Sequence, residues 1–405
     1  MNKLPNGWEE KRLDDLFKEF TEKNHADKNI LASTQDRGVI PSDLLDRHII
    51  RKKESLSNYK LVKKGCFVIS LRSFQGGFEY SNYEGIISPA YTILEPKMKL
   101  VDDFYKYYFK SYYFINKSLP KYAEGIRDGK QIKYKACKEI LVPYPPLDEQ
   151  KRIASALSKI DAYLENTIKL IEEKERFKRG IAKKLLTCKE GENIPEARFK
   201  GFEGEWEIVK LGDITKMISG GTPNTKIKEY YNGNIVWATI TDITNSYKYL
   251  YDSEKKITEL GLQNSSTKIF PINTVLYSIY GSIGECAISK VECTTNQAIL
   301  GIECSDKINY NFLYYLLSNH KNNAKKLRQF GTQPNINKKI VLNFCFKIPN
   351  IEEQEKIGGY LSLLDAEIDN LKKQKELIKE MKKGAMQKLL SGEIRLSKNA
   401  FNENI

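Results

Sequence analysis

Side chains suited to gripping and reading a polyanion gather in three loops of this sequence. Ser219-Gly220-Gly221-Thr222-Pro223-Asn224-Thr225-Lys226 combines glycines, short hydroxyls, an amide and a lysine. Glycines in such a loop let backbone N–H groups come close to phosphate. Tyr280-Gly281-Ser282-Ile283-Gly284 is a second loop, matched earlier in the chain by Arg72-Ser73-Phe74-Gln75-Gly76. The third is Gly331-Thr332-Gln333-Pro334-Asn335-Ile336-Asn337-Lys338, which Gly129-Lys130-Gln131-Ile132-Lys133-Tyr134 matches loosely. Gln, Asn, Arg and Lys are the side chains that read base edges in a major groove. The candidate DNA contacts are therefore Arg72, Ser73, Gln75, Lys130, Gln131, Lys133 and Tyr134 in the first half. In the second half they are Ser219, Gly220, Gly221, Thr222, Asn224, Lys226, Tyr280, Ser282, Thr332, Gln333, Asn335 and Asn337. Arg51 and Lys52, in a basic run, are candidates for phosphate or for a solvated face alike. One such loop is equally well a plain turn; recurrence at equivalent places favours contact.

Catalytic chemistry is not legible. There is no G-x-x-x-x-G-K-[ST] phosphate loop, no G-x-G-x-x-G opening a helix, and no H-E-x-x-H. A methyltransferase that flips adenine needs Asn/Asp-Pro-Pro-Tyr/Phe, and Tyr144-Pro145-Pro146-Leu147 lacks the polar group. The seven cysteines form no C-x-x-C pair, and there are three histidines, so neither a metal site nor a disulfide scaffold is expected. The chain is expected to be no enzyme by itself and to bind no cofactor.

The elements that must position the loops are written twice. Pro145-Pro146-Leu147-Asp148-Glu149-Gln150-Lys151-Arg152-Ile153 returns as Pro349-Asn350-Ile351-Glu352-Glu353-Gln354-Glu355-Lys356-Ile357 at an offset of 204 (Gln150 to Gln354). The match runs without a gap to Leu185-Leu186 and Leu389-Leu390. Trp8 and Trp206 recur at 198, and Ser70 and Ser278 at 208. The rigid segments read as long helices. Ile153, Leu157, Ile160, Leu164, Ile168 and Ile171 form one apolar stripe; Ile357, Leu361, Leu364, Ile368 and Leu371 form the other, and these helix residues with Gln150 and Gln354 are the candidates for spacer and partner contacts. Each helix of about 39 residues would span roughly 58 Å. A single apolar stripe that long needs a partner, and the other copy, antiparallel, is the natural one.

The expected organisation is a globular domain over 1–147, a helix over 148–187, a linker over 188–196, a globular domain over 197–350, a helix over 351–391 and a tail over 392–405. Both globular segments read as mixed α/β. Strands are expected at Cys66–Leu71, Tyr91–Leu94, Ile235–Ile240, Val275–Ile279 and Ala298–Ile302. Helices are expected at Asp103–Asn116 and Tyr310–Gln329. Trp8, Trp206 and the tyrosines between Tyr105 and Tyr113 read as packing residues.

The chain has 405 residues and a net charge of +14, which suggests a polyanion partner but fits a merely solubilising surface too. The 40% hydrophobic content excludes bulk disorder, and no apolar run approaches the length of a spanning helix. A soluble, cytosolic protein is expected.

Two variable globular segments alternating with helices that open Pro-Leu-Asp-Glu-Gln-Lys-Arg-Ile and Pro-Asn-Ile-Glu-Glu-Gln-Glu-Lys-Ile, with Arg198-Phe199-Lys200-Gly201-Phe202 and the Ser-Gly-Gly-Thr-Pro loop, make a pattern. It resembles the specificity (S) subunit of type I restriction–modification systems over nearly the whole chain. The first half lacks an equivalent of Ser219–Pro223. The resemblance implies two target recognition domains, each reading one part of a bipartite, asymmetric DNA site, and an antiparallel coiled-coil spacer; helices of roughly 58 Å are long enough to act as a ruler between the parts. It implies two methylation subunits docked on the chain and motor-nuclease subunits joining through them. S-adenosylmethionine, ATP and magnesium belong to those partners. The rival reading is a stand-alone nucleic-acid-binding protein with a dimerising coiled coil.

Overall fold

The computed structural model describes residues 4–45, 53–70, 73–123, 132, 134–327 and 335–397. The chain forms two compact units. The first joins Met1–Ile168 to Lys373–Ile405, and the second is Lys169–Lys372.

The second unit is built on a five-stranded sheet ordered Thr215–Ser219, Ile299–Cys304, Val275–Ser278, Cys286–Ser289, Tyr249–Leu250. The first four pair antiparallel, and the last pairs parallel. Val275–Ser278 is buried on both faces. Val275 and Tyr277 face a cluster with Trp206, Leu211 and Phe312, while Leu276 faces Ala238, Phe270 and Ile299. Successive strand residues point to opposite faces, so a strand covered on both sides reads as an unbroken apolar run. A second sheet, Lys256–Ile257, Tyr231–Ala238, Thr294–Thr295, carries the segment inserted after Ser219.

The first unit repeats this framework. Its sheet runs Phe17–Phe20, Thr92–Pro96, Phe67–Ile69, Glu79–Tyr80. Phe67 and Ile69 join the cluster of Trp8, Leu13 and Phe104; Val68 joins Leu31, Val62 and Ile93 on the other face. Trp8 meets Phe104 edge-on at 6.4 Å, and Trp206 meets Phe312 edge-on at 6.4 Å. A strand at the start of each globular part closes against one at its end: Glu9–Arg12 with Leu141–Tyr144, and Glu207–Lys210 with Cys345–Ile348.

The two long helices are Leu147–Leu186 and Ile351–Leu390, 40 residues each. Each has acids in its first turn and lysine in its last, which suits the helix dipole. In the first unit Ile153 and Leu157, early in one helix, share a cluster with Leu389 and Leu390, late in the other. In the second unit Leu185 and Leu186 share a cluster with Ile357, Leu361 and Leu364. Start meets end in both units, so the pairing within each is antiparallel. Burying one such leucine or isoleucine contributes about 1.5–3 kcal/mol.

Three details depart from the sequence reading. Ile168 is exposed and Thr167 is buried in its stead, because two successive steps of four carry the stripe round the helix. The segment read as one helix over Asp103–Asn116 is a helix at Asp102–Tyr108 and a π-turn at Phe114–Ser118. Gly77 (φ +76°) lies so close to the Phe109 carbonyl that a Cβ would sit 1.9 Å from it, and Ser111 accepts from the Phe114 N–H. Ile235–Ile240 is strand only to Ala238, and a helix starts at Ile240.

Candidate nucleic-acid interface

In the second unit the predicted loops converge at one end of the main sheet. Thr215–Ser219 and Val275–Ser278 end there, and Cys286–Ser289 and Ile299–Cys304 begin there. Hydrogen bonds tie the loops together. Gly220 N–H donates to Ile299 O at 3.0 Å and Gly221 N–H to Thr295 O at 2.9 Å. Ile279 N–H donates to Ala298 O and Ile336 N–H to Ile279 O, both at 2.9 Å. Tyr280 bridges to Asn335. Trp237 Nε1 donates to Gly221 O at 3.0 Å and Tyr231 OH to Pro223 O at 2.6 Å. Ser219, Thr222, Asn224, Lys226, Tyr280, Ser282 and Asn337 stand exposed on this end, with Asn335 half-buried.

Gly220 and Gly221 are a correction. Both are buried and both N–H groups are already bonded, so neither can approach phosphate. They are glycine for packing: a Cβ on Gly220 would lie 2.2 Å from Asn296 O, and one on Gly221 2.3 Å from Ser266 Oγ. Asn337 uses Oδ1 to cap Lys338–Leu342, accepting from Ile340 N–H at 3.0 Å. Asn224 Oδ1 accepts from Lys226 N–H at 3.1 Å and shapes its own turn.

Gln297 was not among the predicted residues. It is exposed at the same end of the sheet, and its Oε1 accepts from Thr222 Oγ1. Its amide N–H groups make no hydrogen bond among the described residues, which leaves two donors on an oriented amide. The signal was in the sequence, since Thr295-Asn296-Gln297 directly precedes a strand. Weighting loops by recurrence hid it: at the offset of 208 the first half has Pro89.

In the first unit fewer of the predicted residues are described at the equivalent end. Ser73 is buried and its Oγ accepts from Ser70 N–H at 2.8 Å, so it holds the turn and does not face a ligand. Tyr134 is also a correction. Its hydroxyl donates to Asp14 Oδ1 at 2.7 Å and to Phe17 O at 3.0 Å. Burial and that bond to Asp14 push its pKa up, and the Tyr134 bond, followed by Lys97, pulls that of Asp14 down. Gln75 is exposed, on a turn whose Gly76 carbonyl accepts from Lys110 Nζ at 2.8 Å. Arg51, Lys52, Arg72, Lys130, Gln131, Lys133, Thr332 and Gln333 lie outside the described residues.

The start of each long helix grips its own globular unit. Gln150 Oε1 accepts from Val101 N–H at 2.9 Å while its Nε2 donates to Pro145 O at 2.8 Å. Gln354 Oε1 accepts from Asn309 N–H at 2.9 Å while its Nε2 donates to Pro349 O at 2.9 Å. Both amides are fully buried, so every bond lost there leaves an unpaired polar group. The glutamates beside them are clamped by arginines. Arg395 reaches Glu149 with bonds of 2.9 and 2.6 Å, and Arg198 reaches Glu353 with bonds of 2.9 and 2.7 Å. Burial raises the Glu149 pKa, but the Arg395 bonds, the Trp8 ring N–H and the charges of Arg395 and Arg152 together outweigh it and the net shift is down. Each arginine also ties the chain ahead of the tryptophan: Arg395 donates to Asn6 O, and Arg198 to Glu203 O and Gly204 O.

Duplicated grips carrying unlike loops agree with comparison to known proteins. The model of the type I restriction modification DNA specificity domain matches residues 5–173 and again residues 203–380. The chain belongs to this family. The specificity subunit of the type I restriction enzyme MjaVIII from Methanocaldococcus jannaschii is 28% identical over 98% of this chain and 96% of its own length. That of EcoR124I/EcoR124II from Escherichia coli is 30% identical over 63% of this chain and 62% of its own length. The fold agrees as well. The HsdS subunit from Thermoanaerobacter tengcongensis superposes with a TM-score of 0.55 at 16% identity, covering 97% of this chain and 98% of that one. The S subunit from M. genitalium gives 0.56 at 17% identity, covering 96% and 97%.

As a type I specificity subunit the chain has a mixed α/β fold with two recognition domains, serves DNA specificity within a restriction–modification complex, and leaves catalysis to other subunits. Among the described residues no cluster of His, Cys, Asp and Glu could hold a metal ion. None of the described helices is long and apolar enough to cross a membrane. The seven cysteines are free, four of them buried.

Proposed function

We propose that each unit reads one part of a bipartite, asymmetric DNA target and that the long helices are the spacer that sets the gap. One observation carries the reading: the same framework and the same helix grips occur twice, but the sheet ends they present differ. Among the described residues the second unit offers Thr222, Asn224, Lys226, Tyr280, Ser282 and Gln297 and the first offers Gln75; in sequence, the segment directly after Phe20 lacks the glycine loop that follows Ile218. Unlike reading surfaces on like supports suit an asymmetric site in two parts.

Two methylation subunits dock on the helices, and motor-nuclease subunits join through them. S-adenosylmethionine, ATP and magnesium are held by those partners, and the complex works in the cytosol. Exposed apolar side chains on the helices support docking. The first unit presents Tyr163, Leu377 and Met381, and the second presents Leu170, Phe177 and Leu363. Apolar residues on an already paired helix favour a further helical partner.

The test is methylation mapping of a genome that carries this chain with its methylation subunits. The expected motif has two different half-sites and one fixed gap. A single undivided motif, or a palindrome, overturns the reading.

A further inference from the structure

A second joint in each unit lies away from the loops. In the first unit Tyr107, on the helix Asp102–Tyr108, donates its hydroxyl to Asp161 Oδ2 at 2.8 Å. Asp161, on the first long helix, pairs with Lys382 Nζ of the second at 2.5 Å. The Lys382 ammonium also sits 5.8 Å from the Tyr107 ring. In the second unit Tyr315, on the helix Tyr310–Lys326, donates to Asp365 Oδ2, and Asp365 pairs with Lys178. The Lys178 ammonium sits 5.6 Å from the Tyr315 ring. The repeat offsets map each member onto its counterpart: Tyr107 to Tyr315 at 208, and Asp161 to Asp365 and Lys178 to Lys382 at 204.

Each node binds three elements: a helix of the reading unit, the long helix that follows it, and the opposite long helix. The same reading-unit helix is also held at its start, by Gln150 at Val101 or by Gln354 at Asn309. One attachment point would let the reading unit swivel about it; two fix its direction. The aspartates and lysines also fix register. Asp161 and Lys178 are 17 residues apart on one helix, and Asp365 and Lys382 are 17 apart on the other. Within either unit, a slip of one helix by a turn would part that unit's ion pair. The node aspartates and lysines are between a fifth and two-fifths exposed, so their ion pairing is a weak source of net stability and a geometric constraint in the first place, while the two tyrosines are buried.

We propose that the nodes Tyr107–Asp161–Lys382 and Tyr315–Asp365–Lys178 are positioning residues that set the gap between the two half-sites. The proposal rests on the bipartite reading. It assigns gap selection to the two joints as well as to helix length, so a variant with helices of unchanged length loses gap selection once a joint loosens.

The experiment uses the full chain in complex with its methylation subunits. Methylation rates are measured on duplexes bearing the mapped half-sites with the native gap, one base pair fewer, or one more. Tyr107→Phe and Tyr315→Phe keep the ring and delete the hydroxyl. Each should lower the rate ratio of native to altered gap at least tenfold while the preferred bases in both half-sites stay the same. Asp161→Ala, which removes the acceptor of Tyr107 and the partner of Lys382 together, should do the same. Unfolding temperatures are recorded for every variant. A native-like ratio in the Tyr→Phe variants, with or without a lower unfolding temperature, makes the nodes merely structural and overturns the proposal. A wild-type complex indifferent to the gap overturns the bipartite reading, and the node proposal with it.

Discussion

In the second unit the chain leaving Thr215–Ser219 enters two buried glycines, a tryptophan-held turn and a strand, Tyr231–Ala238, that centres a three-stranded accessory sheet. In the first unit the chain leaving Phe17–Phe20 reaches a two-stranded hairpin, Leu31–Thr34 with Gly38–Pro41. Beneath those differences the units agree in sheet order, tryptophan packing, glutamine grip and tyrosine node. The comparison separates two kinds of position. Residues facing the long helices are held by contacts present in both units, so changing one affects support. Residues at the loop end of the sheet meet different neighbours in each unit, so on the proposed bipartite reading changing one alters one half-site alone.

The arginine clamps should show the largest effect. Glu353 is 1% exposed and its Arg198 partner 17%; Glu149 is 2% exposed, but Arg395 is 43%. Removing one partner of a buried pair leaves an uncompensated charge. Arg198→Ala should cost about 3 kcal/mol, whereas Arg395→Ala should cost about 1–2 kcal/mol because water already reaches that pair. Thermal unfolding of the two variants measures the difference. Equal losses would show that the clamps are not graded by burial.

A smaller effect is expected at Gln297. Replacing it with Ala should lower discrimination at one base pair by about 1–2 kcal/mol, near tenfold in methylation rate ratio. The change should be confined to the half-site read by the second unit, with the other half-site and the gap unaltered. Loss spread over both half-sites would place Gln297 in the support instead.

The smallest expected effect is a gain. Lys248 is the one buried lysine among the described residues, and it donates to Tyr315 OH at 3.0 Å and Ser362 Oγ at 2.6 Å. Burial lowers its pKa to about 8 from 10.5, against the pull of Asp365. An unfolded chain therefore binds more protons here than the folded one between those values. Below about pH 8 both states are charged and folding bears the whole cost of burying the ammonium. The cost fades as pH rises toward 10.5, so this group makes the second unit more stable with rising pH in that window. Lys248→Met should stabilise the protein by about 1 kcal/mol at pH 7 and flatten that rise. Both hydroxyls keep other bonds, Tyr315 to Asp365 and Ser362 to Gly358 O. A variant less stable than the parent at pH 7 would mean that the lysine bonds outweigh desolvation.

The framework was legible because its residues recur under the same constraint. Trp8 and Trp206, Ile153 and Ile357, and Gln150 and Gln354 each meet the same partners twice, so both copies keep the same residue type. The sheet ends were legible only as loops. Nothing in Ser73 or Tyr134 announces that its hydroxyl is turned inward, because that depends on Ser70, Asp14 and Phe17 folding around it. Gly220 and Gly221 have the composition of a phosphate loop, yet backbone packed against them accounts for both. The clamps escaped for a different reason. Arg198 and Arg395 are 197 residues apart, an offset unlike that of the helices, because each arginine follows one helix and serves the start of the other.

The makeup of the first unit has a consequence for synthesis. Its core needs Leu389 and Leu390 beside Trp8, Leu13 and Phe104, and its buried Glu149 needs Arg395. The second unit, Lys169–Lys372, is one uninterrupted stretch. On a ribosome, where domains fold in order of emergence, the part translated first therefore finishes last. Until residues 373–397 arrive, its apolar floor stays open to chaperones, to aggregation, or to the matching helix end of another nascent chain.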